Sequence, residues 1–429
     1  MRGVTGPAIW PAASTLAAPA LRLLLRRRVR QGKEVAARLG ERRGIDASTR
    51  PPGRLLWIHA ASVGEGLSVL PVLEALDRRC PELAILLTTG TVTSATLMRA
   101  RLDAAGLERV THRFAPLDVP RWAARFLDHW RPDAAAFVES ELWPNLLAGC
   151  RARQIPTMLV NARLSPRSFG RWRWAPRLAW RVLDSFDLIH AQSAEDADRL
   201  AALGARRVTA AGNLKFAAPP LPADPGALEE LHTQLAGRPC WVAASTHPGE
   251  DEIVAAAHRD LANARPGLVS IVVPRHPERG AAVAAAAAGL AVTRRGLGEP
   301  PPSEGVWVAD TLGELGLWYR LAAAALVGRS LLPPGGGQNP LEPARLGCPV
   351  AAGPHMDNFS DAVRALNAAG ALTRVRDAAD LAGWVGPMLD NPARHAAAVA
   401  AGAGAAAAYA HLPETTATAL LELLARRRG

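Results

Sequence analysis

Short apolar runs alternate with helix-length amphipathic stretches from residue 55 to residue 355, and a polar cluster follows most of the runs. Leu55–Ala60 leads into Ser62-Val63-Gly64-Glu65 and an apolar-periodic stretch ending near Arg79. Leu83–Leu87 leads into Thr88, Thr89, Gly90 and Thr91, and Ala134–Val138 into Glu139-Ser140-Glu141. Thr157–Val160 leads into Asn161-Ala162-Arg163, and Leu188–Ala191 into Ser193. Runs this short, bounded by turn residues and separated by helical periodicity, predict buried strands of a parallel sheet joined by crossover helices. The pattern breaks at the Pro- and Ala-rich stretch Ala217–Pro225, which reads as a linker, and then restarts. Cys240–Ala244 leads into Ser245-Thr246-His247, Val269–Val273 into Pro274-Arg275-His276-Pro277, and Val306–Ala309 into Asp310-Thr311. Ala322–Val327 leads into a loop holding Gly335, Gly336 and Gly337, and Val350–Ala352 into Gly353-Pro354-His355.

The prediction is an α/β chain of two doubly wound, Rossmann-like halves facing each other across a cleft, with function at the carboxyl ends of the strands. The expected divisions are an N-terminal segment over 1–50, a first domain over 51–215 and a linker over 216–225. A second domain over 226–429 then includes the C-terminal helices. A chain of 429 residues is too long for one typical core, which agrees with two domains. The alanine tracts 281–288 and 396–408 read as helical and carry no legible chemistry.

The glycine loop is the most informative stretch. Three glycines allow a ligand close to the backbone, Asn339 is a good N-cap, and Pro340 suits the first position of a helix. A helix start offers free N–H groups and a positive dipole end to an anion such as a phosphate. Glu342 cannot serve a phosphate, but its carboxylate suits sugar hydroxyls such as a ribose diol. The combination points to a nucleotide, whereas glycines alone would read as a helix-capping loop.

Charge sharpens this picture. Fifty Lys and Arg stand against 39 Asp and Glu, a net charge of +11, and Lys33 and Lys215 are the only lysines. Such a balance fits nucleic acid, an anionic membrane or phosphorylated ligands. The segment Ala8–Leu25 is apolar but holds Pro11, Pro19 and Arg22, and Arg26-Arg27-Arg28 follows it. It is too short and interrupted for a spanning helix, and its basic cluster lies on the wrong side for a signal peptide. It reads equally as an interfacial helix or as a surface helix packed on its own domain. Arg163, Arg167, Arg171 and Arg173, with Trp172 and Trp174, suit an anionic membrane face or a solvated basic helix, and nothing else resembles a nucleic-acid module. Cys80, Cys150, Cys240 and Cys348 are scattered, so reduced thiols and no zinc site are expected.

Three groups of residues carry candidate chemistry. Glu65, at a helix start after a strand, reads equally as a dipole-stabilising cap or as a general base. Glu139 and Glu141 form a carboxylate pair at a strand end. Arg275 and His276 suit an anion or simply an exposed turn. No G-x-S-x-G elbow, Walker A loop or H-E-x-x-H occurs, so metal-independent transfer is the simpler expectation.

At these residues the chain resembles the transferases of 3-deoxy-D-manno-octulosonic acid (Kdo) that act on lipid A precursors. The likeness extends from Gly32-Lys33-Glu34 to about residue 375. It includes Trp57-Ile58-His59-Ala60-Ala61-Ser62-Val63-Gly64-Glu65, Glu139-Ser140-Glu141-Leu142-Trp143-Pro144-Asn145, Asn161-Ala162-Arg163-Leu164-Ser165 and Gly212-Asn213-Leu214-Lys215-Phe216. It continues through Pro274-Arg275-His276-Pro277-Glu278-Arg279, Asp310-Thr311-Leu312-Gly313-Glu314-Leu315 and the glycine loop.

The resemblance implies a GT-B glycosyltransferase at the cytoplasmic face of the inner membrane. Its donor would be CMP-Kdo and its acceptor lipid IVA, transferred with inversion and without metal or cofactor. It implies Glu65 as general base and Glu139 as a second catalytic carboxylate, with Ser62, Gly64, Glu141 and Arg163 on the acceptor. It places Ser245, Thr246, Arg275, His276, Ser330, Gly337, Gln338, Asn339 and Glu342 on the donor. The chain departs from the common family pattern at Ser140, Arg329 and Gln338, where Thr, Gly and His are usual. Two rivals remain: a sugar-nucleotide 2-epimerase of similar architecture, and a non-catalytic membrane or nucleic-acid binder.

Overall fold

The computed structural model describes residues 9–426. The chain divides into two compact units: one runs to Ala218 and takes in the chain from Tyr409 onward, and the other is Pro219–Ala408. Residues 1–8 and 427–429, parts of the predicted N-terminal segment and second domain, lie outside the described residues.

The first unit holds a seven-stranded parallel sheet. Its strands are β1 (Leu55–His59), β2 (Ala84–Thr89), β3 (Val110–Phe114), β4 (Ala134–Val138), β5 (Thr157–Ala162), β6 (Leu188–Ala191) and β7 (Val208–Ala210), in the order β3-β2-β1-β4-β5-β6-β7. Alternation along β1 explains the two-layered core. Leu56 and Ile58 enter one apolar cluster, while Leu55 and Trp57 enter the other. The second unit repeats the arrangement with β8 (Cys240–Thr246), β9 (Val269–Pro274), β10 (Val292–Arg294), β11 (Gly305–Val308), β12 (Ala325–Val327), β13 (Val350–Ala352) and β14 (Leu372–Arg374), in the order β10-β11-β9-β8-β12-β13-β14.

The apolar runs read from the sequence are these strands, except at the edges. Strands β3, β7, β10 and β14 were not legible. Three of them have three residues, and β3 alternates buried and half-buried positions with Arg113 among them. Central strands are covered on both faces and so form continuous apolar runs, which edge strands do not need.

The domain divisions need two corrections. Leu412, Leu420, Leu423 and Leu424 of the terminal helix Leu412–Ala425 pack with Leu56, Val69 and Leu73 of the first unit, not with the second. The predicted linker also begins too early, because Phe216 and Ala217 are buried in the first unit, and the helix Pro225–Leu235 has already started at its far end.

At the N-terminus, Ile9–Arg30 forms one helix with Trp10, Leu16, Leu23 and Leu24 exposed and Arg27, Arg28 and Arg30 in its last turn. Among the described residues no helix is long and apolar enough to cross a membrane. The arginine-tryptophan segment becomes two helices, Pro166–Arg173 and Pro176–Leu183, and Trp174 between them is 91% exposed. All four cysteines are free and buried, and burial pushes the Cys150 and Cys240 thiols up to about 12.

Candidate active site

In the first unit, the carboxyl ends of β1, β4 and β5 gather the predicted residues. Ser62 caps the helix Val63–Arg79, its Oγ accepting from the Glu65 amide at 3.3 Å. The Glu65 carboxylate turns back on the cap. Oε1 accepts from the Ser62 hydroxyl at 2.7 Å and Oε2 from the Ala61 amide at 2.7 Å. This is a variant of the capping box, in which the carboxylate takes the Ala61 amide and the cap hydroxyl. Capping does not exhaust the group, because a carboxylate has about four acceptor positions. Burial, the largest influence, holds the Glu65 carboxyl above its ordinary range. The bond from Ser62 opposes burial, and the charges of Glu141 and Glu139 reinforce it.

Glu139 and Glu141 turn to different partners. Glu139 has φ of +59° and pairs through Oε1 with Lys215 Nζ at 2.5 Å. The same ammonium lies 3.8 Å from where a Cβ on Gly64 would stand, so Lys215 sits beside the cap that carries Glu65. Glu141 Oε2 accepts from Trp143 Nε1 at 2.5 Å and lies 3.2 Å from His59 Nε2. Burial pushes the Glu141 carboxyl up, but these two bonds together outweigh it and hold the group below the ordinary carboxylate range. Ser140 Oγ donates to the Arg163 carbonyl at 2.8 Å, while the Arg163 side chain is exposed.

Lys215 and His59 were quoted within motifs but given no role by the sequence. Lys215 is held by a polar chain. The Leu214 amide donates to Asn161 Oδ1 at 2.9 Å, Gln192 Nε2 donates to the Asn161 carbonyl at 3.0 Å, and the Lys215 amide donates to Asn213 Oδ1 at 3.0 Å. One available signal was the scarcity of lysine.

In the second unit, Ser245, Thr246, Arg275 and Arg329 meet at the carboxyl ends of β8, β9 and β12. Ser245 has φ of +60° at a register shift in β8, and the Arg275 amide donates to the Thr246 carbonyl at 3.1 Å. Glu250, missed by the sequence reading, organises this end. Its fully buried carboxylate accepts from four backbone amides: His247 at 2.9 Å, Arg329 at 2.7 Å, Ser330 at 2.8 Å and Leu331 at 2.9 Å. Arg329 has φ of +55° and an exposed guanidinium with no ion-pair partner among the described residues. Burial pushes the imidazole of His247 down, and the charges of Arg329 and Arg279 add to this. His276 is exposed, its ring 6.4 Å from that of His247.

The glycine loop differs from the open cradle the sequence suggested. Gly335 and Gly336 have φ of +53° and +104°, and a Cβ on Gly335 would overlap His355 Cβ, so the neighbouring 355–358 segment requires a glycine there. The Gly337 amide donates to the Arg329 carbonyl at 2.8 Å. The Ser330 hydroxyl is buried, donating to the Val327 carbonyl at 2.5 Å and accepting from the Gly353 amide at 2.8 Å. Both groups are engaged within the loop and its neighbours. The helix that follows is a single turn, Leu341–Arg345, and its Leu341 amide donates to Asn339 Oδ1 at 3.1 Å.

Glu342, in the first turn of that helix, is half-buried. Burial, the dominant influence, raises its pKa. The bond from Asn339 Nδ2 at 3.4 Å opposes this, as do the charges of Arg345 and Arg275. Arg275 and Glu342 thus share one neighbourhood, with half-buried Gln338 in the same loop. Among the described residues no group of three or more His, Cys, Asp or Glu side chains is placed to hold a metal ion.

Two units of parallel sheet with polar residues at the strand ends define the GT-B class of α/β enzymes. A UDP-GlcNAc 2-epimerase from Neisseria meningitidis aligns over 86% of this chain and 100% of its own with a TM-score of 0.61 at 12% identity. A glycosyltransferase from Rickettsia africae aligns over 87% and 99% with a TM-score of 0.60 at 13% identity. These likenesses establish the fold alone, since both rival activities share it.

Sequence comparison separates them. Residues 36–218 match the family model for 3-deoxy-D-manno-octulosonic-acid transferase (kdotransferase). The chain is 37% identical over 388 residues to a probable mitochondrial 3-deoxy-D-manno-octulosonic acid transferase of Arabidopsis thaliana, covering 87% of this chain and 86% of that one. It is 38% identical over 392 residues to the 3-deoxy-D-manno-octulosonic acid transferase of Bordetella pertussis, covering 88% and 90%. The chain belongs to the Kdo transferase family and is a glycosyltransferase.

Proposed function

We propose that this protein moves Kdo from CMP-Kdo to lipid IVA in lipopolysaccharide biosynthesis, with inversion at the anomeric carbon and without metal or cofactor. We place it on the anionic cytoplasmic face of the inner membrane. The observation that carries the reading is the Glu65 carboxyl, buried, raised in pKa and set beside the Glu139–Lys215 pair. A base of this kind takes a proton from a hydroxyl more readily than an ordinary exposed glutamate does.

The acceptor binds to residues of the first unit, including Ser62, Gly64, Glu141 and Arg163. Glu65 accepts the proton of the acceptor hydroxyl as its oxygen bonds to the anomeric carbon of Kdo. The bond from that carbon to the CMP phosphate breaks, and its electron pair leaves on the phosphate. The charges of Glu141 and of Glu139, the partner of Lys215, add to burial in disfavouring a negative charge on Glu65. The donor binds to residues of the second unit. Arg275, His276 and the unpaired Arg329 meet the phosphate charge, and Glu342 accepts from the ribose hydroxyls. The exposed Leu16 and Trp174, with the surrounding arginines, suit a phospholipid surface.

Incubating the protein with CMP-Kdo and lipid IVA in the presence of a chelator, then weighing the lipid by mass spectrometry, tests the reading. The expected result is lipid IVA heavier by one or more Kdo units, with CMP released. Absence of transfer with chelator but transfer without it would overturn metal independence. Turnover of a UDP-sugar with no acceptor would favour the epimerase.

A further inference from the structure

The first unit contains an apolar cavity of about 700 Å³ that the reaction described above does not use. Three elements wall it. Trp10 and Pro11 come from the helix Ile9–Arg30, Pro144 and Ala148 from the helix Pro144–Ala152, and Leu178 and Val182 from the helix Pro176–Leu183. The cavity is fixed in place by Asp118. Its carboxylate accepts from Trp10 Nε1 at 2.9 Å on one wall and from the Asn145 and Leu146 amides at 3.1 and 2.9 Å on another. Asn145 Nδ2 also donates to Ser14 Oγ at 3.1 Å, a second tie between the same walls.

Charge lies on the rim. Arg177 and Arg181 line the opening, and Arg167, Arg171 and Arg173 stand exposed on the preceding helix. Among the described residues, none of these five has a carboxylate within ion-pair distance. An apolar cavity with two uncompensated guanidinium groups at its opening is complementary to an amphiphile with a hydrocarbon tail and a phosphorylated head. The cavity is also tethered to the carboxylates. Pro144 follows Glu139 by five positions, so its wall lies within roughly 17 Å of that residue even if the chain were fully extended. The Arg163 loop, which opens the arginine-bearing segment, is tied to the same turn by the Ser140 hydroxyl.

We infer that this cavity holds an acyl chain of the phosphorylated glycolipid acceptor, while Arg177 and Arg181 meet its phosphate. The inference rests on the proposed acceptor and gives it a second point of attachment, away from the reacting hydroxyl. Selection for an acylated acceptor would then reside in the cavity and not in the carboxylates.

The test compares lipid IVA with the same phosphorylated disaccharide stripped of its acyl chains, using the full chain and CMP-Kdo. The wild type should have a KM for the acylated acceptor at least about tenfold lower. Ala148→Trp fills the cavity from an exposed helix position and should remove most of that advantage, about the effect of excluding two methylenes. Its KM for CMP-Kdo should not change. A paired Arg177→Gln and Arg181→Gln variant, confined to the surface, should raise the KM for the phosphorylated acceptor and flatten its dependence on salt. Equal wild-type KM values for the two acceptors would overturn the inference, as would an Ala148→Trp variant that keeps the full preference. So would a variant whose only defect is weaker binding to phosphatidylglycerol vesicles, which would make the occupant a membrane phospholipid. No transfer by the wild type to either acceptor would instead strike the proposed function itself.

Discussion

At the scale of single residues, Glu65 shows how one carboxylate serves structure and chemistry together. Its bonds to Ser62 and Ala61 fix its position, and burial raises its pKa. A carboxyl whose pKa is higher in the folded chain than in the unfolded one binds its proton more tightly when folded. Stability therefore falls as pH rises from the unfolded value through the folded one, and the ionised carboxylate is a cost at neutral pH. Glu65→Gln should lower transfer by roughly 10²- to 10⁴-fold while leaving CMP binding intact. The same variant keeps only one of the two acceptor oxygens used by Ser62 and Ala61, so the pH dependence is the test: the wild type should lose more melting temperature between pH 4 and pH 7 than the variant does. Melting curves at both pH values check this, and equal losses would refute the burial account. Glu65, Glu139 and Glu141 were legible because a polar cluster straight after an apolar run marks a strand end. Lys215 and His59 were not, because the partners that give them meaning, Glu139 and Glu141, are brought up by β4 from far along the chain.

At the scale of elements, strand ends and the loops behind them carry the donor residues, and Glu250 determines their shape. Four backbone amides converge on its carboxylate, and one of them belongs to Arg329, whose φ is held at +55°. A non-glycine residue in that region costs of order 1–3 kcal/mol and persists only where its surroundings enforce it. Glu250→Gln offers one carbonyl oxygen in place of two carboxylate oxygens and leaves buried amides unpaired. We expect a loss of roughly 2–3 kcal/mol of stability in the second unit and a raised KM for CMP-Kdo, with the KM for lipid IVA unchanged. Denaturant titration and steady-state kinetics measure both, and a variant with normal donor KM would show that the clasp is structural only. None of this was visible in sequence, where Glu250 reads as one more acidic residue in the first turn of a helix. The glycine loop was visible but over-read. Its glycines satisfy the close approach of the 355–358 segment, a demand set by a loop after another strand.

At the scale of the whole molecule, the order of the chain is not the order of its units. Reading left to right placed 409–429 with the second domain, since the repeating signal of strands had ended and only helices remained. The terminal helix carries Leu412, Thr416, Leu420, Leu423 and Leu424 at buried positions, a stripe of three- and four-residue spacings that specifies a face but not its destination. The structure supplies the destination, with Arg78 pairing to Glu414 at 2.6 Å and Arg79 donating to Thr418 at 2.6 Å alongside the apolar contact. Four leucines buried at about 1.5–3 kcal/mol each are worth roughly 6–12 kcal/mol. That rivals the 5–15 kcal/mol by which a typical domain is stable at all. Removing residues 409–429 should therefore unfold the first unit, whose sheet would lose the cover on one face. The second unit contains its own two apolar clusters and should survive. Calorimetry of the 1–408 chain should show the loss of a melting transition, and CMP should still bind to what remains. A truncated chain that kept both transitions, or that transferred Kdo at the full rate, would show that the helix is an appendage instead of part of the first unit's core.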